Sequence, residues 1–500
     1  MNLARLVFAL VTWFATLCAQ ATPQMRNGTD LWLAGNAGEE SGWGLYLAHQ
    51  GDTIFATLFV YGADNQPRWY SAPNMTGNNF YEGPLYESTG TPIGVPFDET
   101  TVTRRQVGKM TLGLREGSAT LSYTIDGVFV ADEISPFAFK LVPFSGQYTG
   151  TLTQPTSGSN PAVTDVITFS IDHSVSSFTM KSQGTTSGAC TFTGTPVQKG
   201  SKLYVVDGKY TCADNTSGRF EMHEADLTID GFTANFVGAR VTDFSSGRIE
   251  ALRMGPGVLS GGWMSDLWLA PGESGWGLNM VGQGNNMFAT VFAYGPDRKP
   301  KWYSIPDLVF TGQGSGPEDR GTYSGNVYES TGPWFGLATF DPSKVTRRRV
   351  GSASVRFLDN RTALLDLVME GATVRRELNP FAFRANDLSG LYDGHIVNVP
   401  ASGPATSEFR IFQITDNGTA VTIAASENAG SCTYSGTRSQ YGQRLSVAGS
   451  YTCSHGPSGN FALSDVEVSY RGFTAGFGNF PGSANLTGHM GGARRGAFGP

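Results

Sequence analysis

Carboxylates and large aromatic rings recur side by side in this 500-residue chain, and together they are its best candidates for chemistry. Glu40 opens the run Glu40-Ser41-Gly42-Trp43-Gly44, and Glu273 opens the matching run through Gly277. Glu87 lies in Tyr86-Glu87-Ser88-Thr89-Gly90, and Glu329 in the same pentapeptide at 328–332. Two carboxyl groups about 5 Å or 6.5–9.5 Å apart can cleave a glycosidic bond, one as acid and the other as base or nucleophile. Glu40 with Glu87, and Glu273 with Glu329, are therefore candidate catalytic pairs. The competing reading has each carboxylate cap backbone amides or pair with an arginine such as Arg104 or Arg105. Flat rings beside carboxylates also suit sugar faces and amphipathic ligands. On that ground Trp43, Trp69, Tyr70 and Glu40, with Trp276, Trp302, Tyr303 and Glu273, form two candidate ligand-binding sets, to be weighed against simple core packing.

Other chemistries find little support. The six histidines never face a histidine in the aligned half, so a duplicated histidine site is excluded. HExxH, GxSxG and DxDxDG patterns are absent, and no cysteines stand at CxxC spacing, so no metal and no cofactor is expected. The glycine-rich stretch 312–316 lacks the lysine and the strand-to-helix setting of a phosphate cradle. Asp64 and Asp297 sit in a turn and are expected to cap it.

The elements that must position these residues come from a tandem duplication. Glu40 to Pro73 matches Glu273 to Pro306 at 20 of 34 positions without a gap. The match continues through Val102-Thr103-Arg104-Arg105, Pro136-Phe137-Ala138-Phe139, Tyr210-Thr211-Cys212 and Gly231-Phe232-Thr233-Ala234, each returning in the second half. The order is A1-B1-A2-B2: A1 over 28–143, B1 over 144–254, a linker over 255–262, A2 over 263–386 and B2 over 387–500. The four cysteines after residue 21 fall as one pair per B module, so Cys190–Cys212 and Cys432–Cys453 are the expected disulfides.

Between Thr53 and Tyr61, Phe55, Thr57, Phe59 and Tyr61 share one strand face, and Ile54, Ala56, Leu58 and Val60 the other. Both faces read as buried. In the second copy the aromatic face is unchanged while the aliphatic face has drifted, so the rings answer to a stricter geometry than core packing requires. Trp69 and Tyr70, as strand neighbours, must point to opposite faces, which leaves one of them outside the core. Short alternating runs, frequent Gly and Ser turns and no helical period indicate an all-β protein of small antiparallel barrels or sandwiches. Glycine and proline make up 90 residues and charged residues only 15%, which opposes long helices and coiled coil.

An apolar run from Leu6 to Leu17 after Arg5, then Ala19-Gln20-Ala21, reads as a signal peptide over 1–21. It is too short to span a membrane, so a secreted or periplasmic protein without a transmembrane span is expected. Net charge is −7, and loss of Arg5 makes it −8, which disfavours nucleic acid. The basic clusters at 104–105 and 347–349 read as charge guarding a strand edge.

The runs Glu40-Ser41-Gly42-Trp43-Gly44, Phe55-Ala56-Thr57, Pro67-x-Trp69-Tyr70 and Tyr86-x-Ser88-Thr89-Gly90 resemble a β-repeat of exported proteobacterial proteins. The resemblance covers the A modules and implies a bacterial envelope or extracellular setting; no activity comes with it. The expected function is non-catalytic binding or adhesion through duplicated aromatic pockets, with a glycan, a small amphipathic ligand or a cell-surface protein as partner. A secreted glycan hydrolase and a purely structural envelope protein are the alternatives.

Overall fold

Alternating apolar residues and tight Gly- or Asn-centred turns make almost every segment a strand paired with its sequence neighbour. The computed structural model describes residues 26–35, 42–154, 163–240, 243–257, 264–312, 320–427, 430–456, 458–478 and 486–495. The signal-peptide segment, Glu40 and most of the expected linker lie outside these residues.

The described strands close into four antiparallel barrels of eight strands each. A1 consists of β1 (Asp30–Ala34), β2 (Gly44–Gln50), β3 (Thr53–Tyr61), β4 (Pro67–Asn78), β5 (Phe80–Thr89), β6 (Thr103–Arg115), β7 (Ser118–Ile125) and β8 (Val128–Pro136). Closure is made by β1 on β8, with Trp32 opposite Pro136. B1 runs from Gly146–Gln154 to Asp243–Arg253, A2 from Asp266–Leu269 to Ala372–Pro380, and B2 from Gly390–Pro400 to Leu486–Arg494, all with the same up-and-down order. An eight-stranded barrel is just wide enough for side chains to fill. Each interior is accordingly a packed core, such as Leu45, Ile54, Leu58, Met75, Leu112 and Leu121 in A1.

Arg104 and Arg105 stand on the part of β6 that pairs with β5 alone, since the register of β6 with β7 begins at Met110. Arg104 lies over the Tyr86 ring, 4.3 Å from its centroid. Asp64 and Asp297 do cap their turns, accepting from the amides of Gln66 and Lys299 at 3.2 Å.

A buried carboxylate of each A barrel bonds the B barrel that follows it. Asp30 accepts from the amide and hydroxyl of Ser201 at 2.8 and 3.0 Å, and Asp266 accepts from the amide of Gln443 at 3.0 Å. The B1–B2 seam is polar: the Thr164 hydroxyl donates to Asp393 at 2.7 Å, and His489 pairs with Asp230 at 2.7 Å. The disulfides Cys190–Cys212 and Cys432–Cys453 each tie two adjacent strands of a B barrel.

Candidate functional site

The aromatic face of β3 does not point into its own barrel. Ile54, Ala56, Leu58 and Val60 fill the A1 interior, while Phe59 and Tyr61 join Trp69, Phe292, Tyr294 and Trp302 in a separate apolar cluster between A1 and A2. The contacts are reciprocal. The Trp69 indole N–H donates to the Ala293 carbonyl at 2.8 Å, and that of Trp302 to the Val60 carbonyl at 3.0 Å. Phe137 and Phe139 flank Phe288, while Phe381 and Phe383 flank Phe55. Gln50 accepts from the amides of Phe383 and Arg384, and Gln283 from those of Phe139 and Lys140.

The glycine ending the Ser-Thr-Gly run belongs to the same seam. A Cβ on Gly332 would lie 2.5 Å from the Tyr61 ring, and one on Gly90 would collide with Tyr294. From each of these glycines the chain continues as a loop across the other A barrel. Ile93 donates its amide to the Tyr294 carbonyl at 3.1 Å, and Phe335 donates to Tyr61 at 3.1 Å. Ile93 packs against the A2 core and Phe335 against the A1 core.

Two equivalent cavities result, one at each A barrel and each roofed by the other barrel's loop. The A1 cavity, of about 350 Å³, is bounded by Trp43, Tyr123, Asp132 and the loop around Phe335. The A2 cavity, of about 290 Å³, is bounded by Glu273, Trp276, Arg376 and the loop around Ile93. Here Glu273 is held from both sides: the Trp276 indole N–H donates to it at 2.9 Å and Arg376 at 2.7 Å.

The expected site residues thus separate. Trp43, Trp276 and Glu273 line cavities. Trp69 and Trp302, at 2% and 5% exposure, are consumed in the seam, and Tyr70 and Tyr303 in the barrel cores. The ring of each Trp-Tyr pair that leaves its own core is therefore covered by the other A module instead of being open to a ligand. Glu87 pairs with Arg105 at 2.8 Å and lines no described cavity. Glu329 is bound by Lys301 and by Arg348, the latter at 2.5 Å. Burial pushes the Glu329 carboxyl up, but these two cations outweigh it and hold it below the ordinary carboxylate range. Glu329 likewise lines neither cavity, so Glu273 and Glu329 do not share one; in the other half Glu40 lies outside the described residues.

Sequence reasoning missed Phe129, Asp132, Trp334, Phe335 and Arg376. One signal was available: Trp334 follows the Ser-Thr-Gly run by two residues, where the first half has Pro92, so it is a tryptophan without an aromatic counterpart.

No protein-family model and no curated protein matches the chain. Two solved structures are similar to it at a coarse level. One is a mutant of transferrin binding protein B from Haemophilus parasuis Hp5, at 9% identity over 84% of this chain and 96% of that one, with a TM-score of 0.19. The other is isotype 1 transferrin binding protein B from serogroup B Neisseria meningitidis, at 10% identity over 82% and 87%, with a TM-score of 0.18. At such TM-scores the likeness transfers no ligand, and the fold of this chain rests on its own strand pairing.

Proposed function

We propose that this chain is an exported, non-catalytic binding protein whose two A barrels each offer one small-ligand cavity. The observation supporting this reading is the repetition of the cavity at the same place in both barrels, with Trp43 or Trp276 in its wall. Both volumes sit near the lower end of the range for small-molecule sites. The disulfides suit an oxidising compartment, in keeping with the signal peptide expected over 1–21. Among the described residues no helix is long and apolar enough to cross a membrane.

The test uses residues 22–500 titrated by calorimetry with polysaccharides, peptidoglycan fragments and small amphiphiles. Ala338→Trp and Thr373→Trp, both at exposed positions lining the cavities, narrow the A1 and A2 cavities respectively. Binding that each variant abolishes at its own cavity supports the reading; binding unchanged in the double variant overturns it. A structural role is the second reading, favoured because Phe59, Tyr61, Trp69, Gly90 and their counterparts are all spent on joining A1 to A2.

A further inference from the structure

The two cavities have kept their place but not their chemistry. Around the A1 cavity stand Trp43, Tyr123, Phe129, Trp334, Phe335 and Phe340, with Asp132 as an acidic side chain in the wall. Among the described residues no lysine, arginine or histidine lines it. At the corresponding positions of the second half the chain has Leu367 for Tyr123, Thr373 for Phe129, Pro92 for Trp334 and Ile93 for Phe335. Asp132 is matched by Arg376, whose guanidinium bonds Glu273. Three ring pairs of the seam between the same two barrels have meanwhile stayed identical, Phe59 with Phe292, Tyr61 with Tyr294 and Trp69 with Trp302, while Tyr46 and Ala48 of that cluster are matched by Asn279 and Val281. At the cavity the differences run in one chemical direction, towards aromatic and acidic side chains in A1.

Aromatic faces carry the negative part of the ring quadrupole and attract a cation placed over them, most strongly where water is excluded. An alkylammonium group gains most from such a wall, because its charge is spread over methyl groups that also bury apolar surface. A carboxylate in the same wall adds negative charge, which favours a cation over an anion. Resting on the reading of the A1 cavity as a ligand site, we infer that this cavity takes a ligand bearing a quaternary alkylammonium group, while the A2 cavity does not.

Choline and its neutral carbon isostere 3,3-dimethyl-1-butanol separate charge from shape. The expected result for residues 22–500 is one choline site per chain, with the isostere about tenfold weaker or worse. Asp132→Asn should weaken choline by about tenfold and leave the isostere unchanged. Ala338→Trp should abolish choline binding, and Thr373→Trp should not affect it. Equal affinity for the isostere, two equal choline sites, or no effect of Asp132→Asn in a variant with unchanged melting temperature would overturn the inference. A neutral compound that binds and is displaced by Ala338→Trp, while choline does not bind, would sink the cation assignment and leave the cavity reading standing. No binding by any probe would sink both.

Discussion

Trp69→Ala tests whether the repeated aromatic face joins modules or meets ligand. Trp69 is 2% exposed and packs on Phe292 and Tyr294, with ring centroids 5.3 and 5.6 Å away. A buried indole covers about 150–250 Å², and at ~25 cal/mol per Å² that is about 4–6 kcal/mol before the alanine methyl is subtracted. Measured truncations of buried Phe or Trp cost about 3–5 kcal/mol, and loss of the 2.8 Å bond to the Ala293 carbonyl adds about 1 kcal/mol. The expected loss is therefore about 4 kcal/mol, and Trp302→Ala should match it within about 1 kcal/mol, because the two contacts mirror each other. The assay is favourable: every tryptophan after residue 21 lies in an A module, so tryptophan emission during urea unfolding reports A1 and A2 alone, and far-ultraviolet circular dichroism follows the whole chain. The emission transition should move to lower urea well ahead of the change in the dichroism transition. A loss under about 1 kcal/mol, the range of surface substitutions, would refute the packed seam and return Trp69 to the candidate ligand surface.

Further outcomes follow from neighbouring features. Gly332→Ala should cost about 1–3 kcal/mol in the same emission assay, because the added methyl meets the Tyr61 ring, while Gly255→Ala, with open space around it, should be silent. Replacing Cys190 and Cys212 by alanine frees a loop of 22 residues and should lower B1 stability by about 3 kcal/mol, read as a dichroism shift that leaves tryptophan emission in place. Burial raises Asp30 and Asp266 from 3.8 to about 6, so the folded state holds extra protons between those values. Their contribution is full below pH 3.8 and is lost as pH rises through 6, by on the order of 3 kcal/mol per carboxyl. His49, lowered by burial to about 4, works in the opposite sense, its contribution being lost as pH falls through 4. The clean measurement is thus the difference between wild type and Asp30→Asn across pH 4–7. The variant should gain relative stability as pH rises; a constant difference would refute the buried ionisable carboxyl.

Strand alternation, turn residues and self-similarity were legible without coordinates, because they are local or internal to the chain. The two faces of Thr53–Tyr61, the opposed directions of Trp69 and Tyr70, the capping of turns by Asp64 and Asp297, and the pairing of cysteines within each B module all follow from a period of two and from the duplication itself. The pairing of Glu87 with Arg105 was also within reach as the competing reading, since both belong to repeated motifs. Period two cannot tell which apolar face turns inward. Only closure of the barrel assigned Ile54, Ala56, Leu58 and Val60 to the interior, leaving Phe59 and Tyr61 outside it to be buried by A2.

The cavities lie further still from sequence reach. Trp43 and Phe335 are close only because a loop leaving one barrel crosses to the other, and no local pattern encodes a contact between residues in different halves. The chain by itself determined strands, repeats, disulfides and an unusually invariant aromatic face. Which surface that face meets, and which residues share a cavity, were decided by tertiary structure, because burial between modules depends on how two closed barrels dock and not on any spacing along one of them.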